Sequence, residues 1–277
     1  MSSNDNKKQF ISLKASVLFT LALSVSAASY AITGDRQSPV NIDTHHTKSA
    51  YLPAITATYS SNATISLVNT YDPNRSPLVE KEWATIKANV PSGSFVMVDG
   101  KQYDLLQFHF HTPSEHKVDG KAFPMEVHFV HLRQGALPCD PDALLVIGAR
   151  IQKSEHAHAE LNKIFGLPLP ENTTAGATSI SNFDLNKVLP DLDGSWRYLG
   201  SLTAPASFST CSAQGGSIDE QLSADIFPEN VSWTLLTKPV GMSSKQIDAF
   251  RKIFELGNSR PTQPLNSRVI LQDKHHD

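Results

Sequence analysis

The stretch Gln107-Phe108-His109-Phe110-His111 alternates polar and aromatic residues, and Met125-Glu126-Val127-His128-Phe129-Val130-His131 resumes the pattern shortly afterwards. Alternation of period two belongs to a β-strand, where residues i and i+2 share a face about 6.6 Å apart. His109 and His111 therefore point to one side while Phe108 and Phe110 pack behind them. A neighbouring strand carrying His128 completes three imidazole ligands around one ion and leaves a fourth corner open. Catalytic zinc is held in this way, whereas structural zinc is closed by four protein ligands. A lone strand histidine is more often a hydrogen-bonded core residue, and His-x-His by itself is common. The third histidine and the residues flanking the set tip the balance to a metal.

Those flanks repeat the alternation. Gln107 shares the face of His109 and His111, and Glu126 shares the face of His128. Metal-bound histidines usually donate their second ring N–H to an amide, carboxylate or carbonyl oxygen, which fixes tautomer and ring orientation. A glutamine and a glutamate two residues before ligands suit that task.

The 277 residues, 40% of them apolar, with a net charge of −3, fit one large globular domain or two small ones. No basic stripe points to nucleic acid. Lys7, Lys8 and Lys14 precede an apolar run from Ala15 to about Ala28 that ends in small residues at Val25-Ser26-Ala27. This is the pattern of a cleavable signal peptide over 1–27, which leaves a mature domain over 28–277 and predicts a periplasmic or secreted location. The run is too short and serine-rich for a stable membrane span, which takes about 20 apolar residues. The two cysteines, Cys139 and Cys211, either form one disulfide in an oxidising compartment or remain two thiols.

Strands are expected at 63–68, 85–90, 94–98, 103–111, 125–132, 143–151, 196–202 and 231–236, with an Asp99-Gly100 hairpin turn between the third and fourth. Helical character is expected over Ser154–Phe165, with Ser154 as N-cap and His156 and His158 facing solvent, and again over Ser243–Phe254. Ser207–Glu229 reads as an inserted polar loop. The pairs His45-His46 and His275-His276 sit in polar surroundings and read as solvated.

Several motifs resemble the α-class carbonic anhydrases: Gln37-Ser38-Pro39-Val40-Asn41-Ile42, the two histidine stretches, Ser114-Glu115-His116, Gly200-Ser201-Leu202-Thr203, Ser232-Trp233 and Arg260-Pro261-Thr262-Gln263-Pro264-Leu265. In order and spacing they cover nearly all of the chain after the signal. The resemblance implies a mainly β fold with peripheral helices (α+β), a large mostly antiparallel sheet bearing a conical zinc cleft. It implies reversible hydration of CO2 to bicarbonate and a proton by zinc-bound hydroxide, with sulfonamides and anions as inhibitors. His109, His111 and His128 would be the zinc ligands, with Gln107 and Glu126 orienting them. Thr203 would stand beside the zinc-bound oxygen and donate its hydroxyl hydrogen to Glu115. His116 and Tyr198 would support the ligands from below. Val130, Val146, Leu202, Trp233 and Ala204 would line the substrate pocket.

The chain also departs from that family. The aromatic-rich segment expected before Gln37 is missing, and with it a cysteine, so Cys139 would be a non-family partner for Cys211. Ala84 aligns where many members carry a proton-shuttle histidine, which predicts buffer-dependent turnover, with Glu82 or His45 as substitutes. Ala204 stands where a second threonine is common. Two rival classes, a binding module without activity and a zinc esterase, have less to support them. The first usually lacks a zinc histidine, and the second lacks a leaving-group acid.

Overall fold

A computed structural model describes residues 34–74, 83–205 and 227–274. The signal segment, Glu82, Cys211, most of the expected loop at 207–229 and the His275-His276 pair lie outside these residues. The strands are β1 (Asn41–Ile42), β2 (Lys48–Ala50), β3 (Ile55–Thr58), β4 (Ala63–Asn69), β5 (Ile86–Asn89), β6 (Phe95–Val98), β7 (Lys101–His111), β8 (Lys117–Val118), β9 (Met125–Arg133) and β10 (Leu144–Ser154). They continue with β11 (Thr178–Phe183), β12 (Ser195–Gly200), β13 (Val231–Leu236), β14 (Val240–Ser243) and β15 (Leu271–Asp273). Two α-helices are described, α1 (Asn162–Phe165) and α2 (Ser244–Ile253).

Thirteen of the described strands form one sheet, whose main path runs β11-β4-β5-β7-β9-β10-β13-β12-β15-β2. Its pairings are mostly antiparallel; β10 runs parallel to β13 and β14, and β15 parallel to β2. This is the mainly β architecture that the residues and the resemblance both led us to expect. The long strands β7, β9 and β10 sit at the middle of the sheet and carry the longest runs of buried residues. The Asp99-Gly100 turn joins β6 to β7 with both residues at positive φ (50° and 71°), as a tight right-twisted hairpin requires.

Period two separates the two faces. On one side Phe108 and Phe110 enter an aromatic core: Phe108 stacks on Phe129 at 4.9 Å, and Phe110 meets Phe165 edge-on at 5.0 Å. Both phenylalanines are fully buried, each contributing roughly 1.5–3 kcal/mol by leaving water. Helix α2 covers this side with Ile247 and Phe250, and a capping box between Ser243 and Gln246 sets its start. The other face carries a second apolar cluster that includes Val130, Val146, Tyr198 and Trp233.

Two expectations are corrected here. Ser154 does not cap a helix: β10 runs through it, and it pairs with Ser243 of β14. Only Asn162–Phe165 is α-helical, and within the stretch before it the backbone of His158 is bonded to the distant Gln246. Gln246 Nε2 donates to the His158 carbonyl, and His158 N–H donates to Gln246 Oε1. His158 is accordingly half-buried, while His156 is exposed as expected. The tail of the supposed insertion is not surface loop either. Phe227 is buried beneath the Arg260 guanidinium at 3.6 Å, and Glu229 accepts from Arg36 N–H and Gln37 Nε2.

Candidate metal centre

Strand β7 sets His109 and His111 on one face, and the β9 register places His128 directly opposite His109. One nitrogen from each of the three rings lies within 4.8 Å of the other two. Hydrogen bonds decide which nitrogens these are. His109 donates Nδ1–H to Gln107 Oε1 at 2.9 Å, and His111 donates Nδ1–H to the Asn258 carbonyl at 2.9 Å. His128 donates Nε2–H to Glu126 Oε1 at 2.8 Å. What remains is Nε2 of His109, Nε2 of His111 and Nδ1 of His128, the nitrogens left to hold a ligand. His111 Nε2 is buried with no hydrogen-bond partner, an arrangement that costs stability unless a ligand fills it. Burial pushes His109 well below the ordinary histidine pKa, reinforced by charge on His111 and His128, and burial lowers His111 too. Neutral rings with lone pairs turned inward are what a divalent metal needs.

A second group, His116, Glu126 and His128, also brings ligand atoms together. Its atoms are already spent on one another. Glu126 Oε1 accepts from His116 Nδ1 at 2.7 Å as well as from His128, and Oε2 accepts the His116 backbone N–H at 2.8 Å. This is a hydrogen-bond chain rather than a cage. Burial pushes the Glu126 carboxyl up, but the charges and hydrogen bonds of His116 and His128 outweigh it and hold the group well below the usual carboxylate range.

The chain continues outward. His116 Nε2 meets the Tyr198 hydroxyl at 2.6 Å, and that hydroxyl donates to Ser38 Oγ at 3.0 Å. Ser38 and Ser201 exchange bonds across the base of the site, and Arg260 Nη1 donates to the Ser38 carbonyl. Two glycines nearby leave little room for a side chain. A Cβ on Gly200 would collide with Ser38 Oγ, Tyr198 and Trp233, and one on Gly148 would meet Glu126 and the His128 ring.

The expected Thr203–Glu115 hydrogen bond is not formed. Glu115 Oε1 accepts the Arg260 backbone N–H at 2.9 Å, while Oε2 is buried without a partner, 3.9 Å from His128 Nδ1. Thr203 is buried and lines the cleft. That cleft holds about 460 Å³, and Val130, Val146, Leu202, Trp233 and Ala204 are among the residues that line it. Val130 and Val146 are opposed across β9 and β10, so one wall is apolar by register.

Ala84 does not face the cleft. It is buried in the aromatic core with Ile86 and Ala88, while Trp83, Thr85 and Lys87 line the polar side. The alternation of β5 extends back through the residues just before it, and Lys87 sits opposite His109 in the register. His45 is exposed and beyond the cleft lining. Sequence reasoning passed over Lys87, Gly148 and Asn258. The first two follow from strand parity once register is known; the third acts through its backbone carbonyl, which no residue type signals.

Cys139 stands in a disulfide; the sequence holds one other cysteine, Cys211, outside the described residues.

A family profile described as eukaryotic-type carbonic anhydrase matches residues 25–212. A carbonic anhydrase of Neisseria gonorrhoeae is 33% identical over 87% of this chain and 78% of its own length. One from Klebsiella pneumoniae is 31% identical over 86% and 80%. Among solved structures, the α-carbonic anhydrase of Thermovibrio ammonificans, determined with the inhibitor sulfanilamide, superposes with a TM-score of 0.66 at 33% identity, covering 85% of this chain and 86% of that one. The Photobacterium profundum α-carbonic anhydrase gives 0.65 at 28% identity, covering 88% and 93%.

Proposed function

The chain belongs to the eukaryotic-type, or α-class, carbonic anhydrases, and from that membership we propose that it interconverts CO2 and bicarbonate using zinc held by His109, His111 and His128. The observation that carries the metal assignment is the trio of inward lone pairs left once each opposite ring nitrogen has found its acceptor. Zinc, when bound, supplies the Lewis acidity that makes water a nucleophile near neutral pH.

The remaining work belongs to the protein's own groups. CO2 has no net dipole, so the wall of Val130, Val146, Leu202 and Trp233 offers it an apolar seat beside the metal-facing nitrogens. Glu115 is fixed by the Arg260 N–H and has one bare, buried oxygen, which draws a donor because leaving it unpaired costs about 1–3 kcal/mol. Thr203 is assigned as that donor in the working site. With its hydrogen given to Glu115, the threonine oxygen can only accept, and so it orients the attacking water. Ala204 brings no second hydroxyl, which reduces polar contact with bicarbonate.

Proton export is assigned to buffer. Among the described residues the histidines lining the cleft are His109 and His128, both spoken for as ligands. Export from the cytoplasm is part of the same proposal, supported by the charged, apolar and small-residue order over 1–27 and by a disulfide at Cys139, a bond typical of oxidising compartments. Sulfonamides and small anions are the expected inhibitors.

Stopped-flow CO2 hydration on the zinc-loaded protein tests the assignment. Activity abolished by a sulfonamide is expected. Stoichiometric zinc without sulfonamide-sensitive hydration would overturn it.

A further inference from the structure

Along β10 the residues Val146, Gly148 and Arg150 are opposed in turn to Val130, His128 and Glu126 of β9. The first pair makes the apolar wall, and the second leaves room for the histidine ring. The third sets a cation against the carboxylate that holds His128. Opposed residues of an antiparallel pair have Cβ atoms about 5 Å apart on the same face. Arg150 is 5% exposed, and its guanidinium lies 4.6 Å from the Phe123 ring and 5.1 Å from the Trp196 ring. Its Nη2 donates to the carbonyls of Leu236 and Thr237, while its Nε is buried with no partner. Among the described residues no carboxylate comes within ion-pair distance of it, so Glu126 is the anion it faces across the strand pair. Glu126 is itself fully buried and bound to His116 and His128.

Two opposite charges thus occupy opposed positions in a buried part of the sheet, and the carboxylate is bonded to the His128 ring. Glu126 is in contact with His116 and His128, Arg150 with carbonyls and aromatic rings and, among the described residues, no carboxylate, and a charge there is screened far less than at the surface. We infer that Arg150 sets the charge of the metal centre: it is the counter-cation of Glu126, and by offsetting that carboxylate it weakens the hold of the three histidines on a divalent cation. It is a positioning residue, acting through Glu126 and His128 without touching the metal or the substrate. The inference rests on the zinc site proposed above, and a wild-type protein that takes up no zinc would count against that site, not against the role of Arg150.

The sign of the effect separates this role from a purely structural one. Loss of a packing residue loosens a metal site, whereas loss of a repelling charge tightens it. The test is the zinc dissociation constant at pH 8, by chelator competition, for wild type, Arg150→Met, Arg150→Gln and Arg150→Lys, with folding checked by circular dichroism. Removing the charge is expected to tighten zinc binding by roughly tenfold, the size of a single fixed charge acting on a dication across the protein interior. Arg150→Lys, which keeps the charge, should stay close to wild type. Arg150→Gln keeps a donor for the Thr237 carbonyl and carries the test if Arg150→Met does not fold. Unchanged or weaker zinc binding in the folded neutral variants overturns the inference.

Discussion

Gly148 lies directly opposite His128 in the β9–β10 register, and a Cβ on it would stand 3.3 Å from Glu126 Oε1, 3.5 Å from the His128 ring and 2.8 Å from Leu235 Cδ1. The leucine methyl can swing away, but the carboxylate cannot move without loosening His116 and His128 together. Gly148→Ala is therefore expected to cost about 1–3 kcal/mol by overpacking, with a measurable loss of zinc. Gly148→Val should bind no zinc. Melting temperature and the zinc-to-protein ratio by mass spectrometry check both.

The orienting residues should rank by how many bonds they hold. Gln107 takes one hydrogen from His109, whereas Glu126 takes three, from both His116 donors and His128. Gln107→Ala and Glu126→Ala should each lower zinc affinity by about 10–100-fold, with Glu126 at the upper end. Chelator competition measures this, and an equal or reversed order would contradict the bonding scheme.

Acid sensitivity should come from buried histidines. His131 donates Nδ1–H to the Leu145 carbonyl and accepts from the Tyr59 hydroxyl; burial pushes its pKa down from 6.5 to about 4. The unfolded chain therefore takes up this proton first as pH falls. The stabilisation is complete above about 6.5 and is lost on descending to about 4, a change on the order of 3 kcal/mol. His109 and His111 shift in the same direction, because burial disfavours their charged forms, so they too should weaken the zinc-free protein as pH falls below the ordinary histidine range. Denaturant unfolding at pH 7.5 and 4.5 measures the difference. His131→Phe should reduce it, while costing about 1–2 kcal/mol at pH 7.5 through the stranded Tyr59 hydroxyl.

Proton transfer gives a fourth test, on position rather than residue type. Imidazole at low buffer concentration should raise kcat in the wild type. Ala84→His should not mimic it, because that side chain enters the core beside Ile86 and its neighbours. Trp83→His, on the cleft side, should reduce the dependence on added imidazole. Stopped-flow hydration at two buffer concentrations separates these outcomes.

The parts of the fold that period two governs were legible in the sequence. Phe108, Phe110 and Phe129 fell to one face and His109, His111 and His128 to the other, because alternation on a strand admits no other arrangement. The Asp99-Gly100 turn was legible for a similar reason: left-handed backbone selects those residues. The helix over Ser154–Phe165 failed because Gln246, far away in sequence, captures the backbone of His158. Ala84 was assigned by alignment where strand parity would have turned it inward. The role of Asn258 was hidden because its carbonyl, not its side chain, orients His111. Arg150 gives no local signal at all, since its meaning comes from the strand beside it.

The metal position is the most direct test of the whole account. Anomalous scattering recorded at the zinc edge from crystals of zinc-loaded protein should show one peak where His109 Nε2, His111 Nε2 and His128 Nδ1 converge. A peak among His116, Glu126 and His128, or at the exposed His45-His46 pair, or no peak at all in protein supplied with excess zinc, would contradict it.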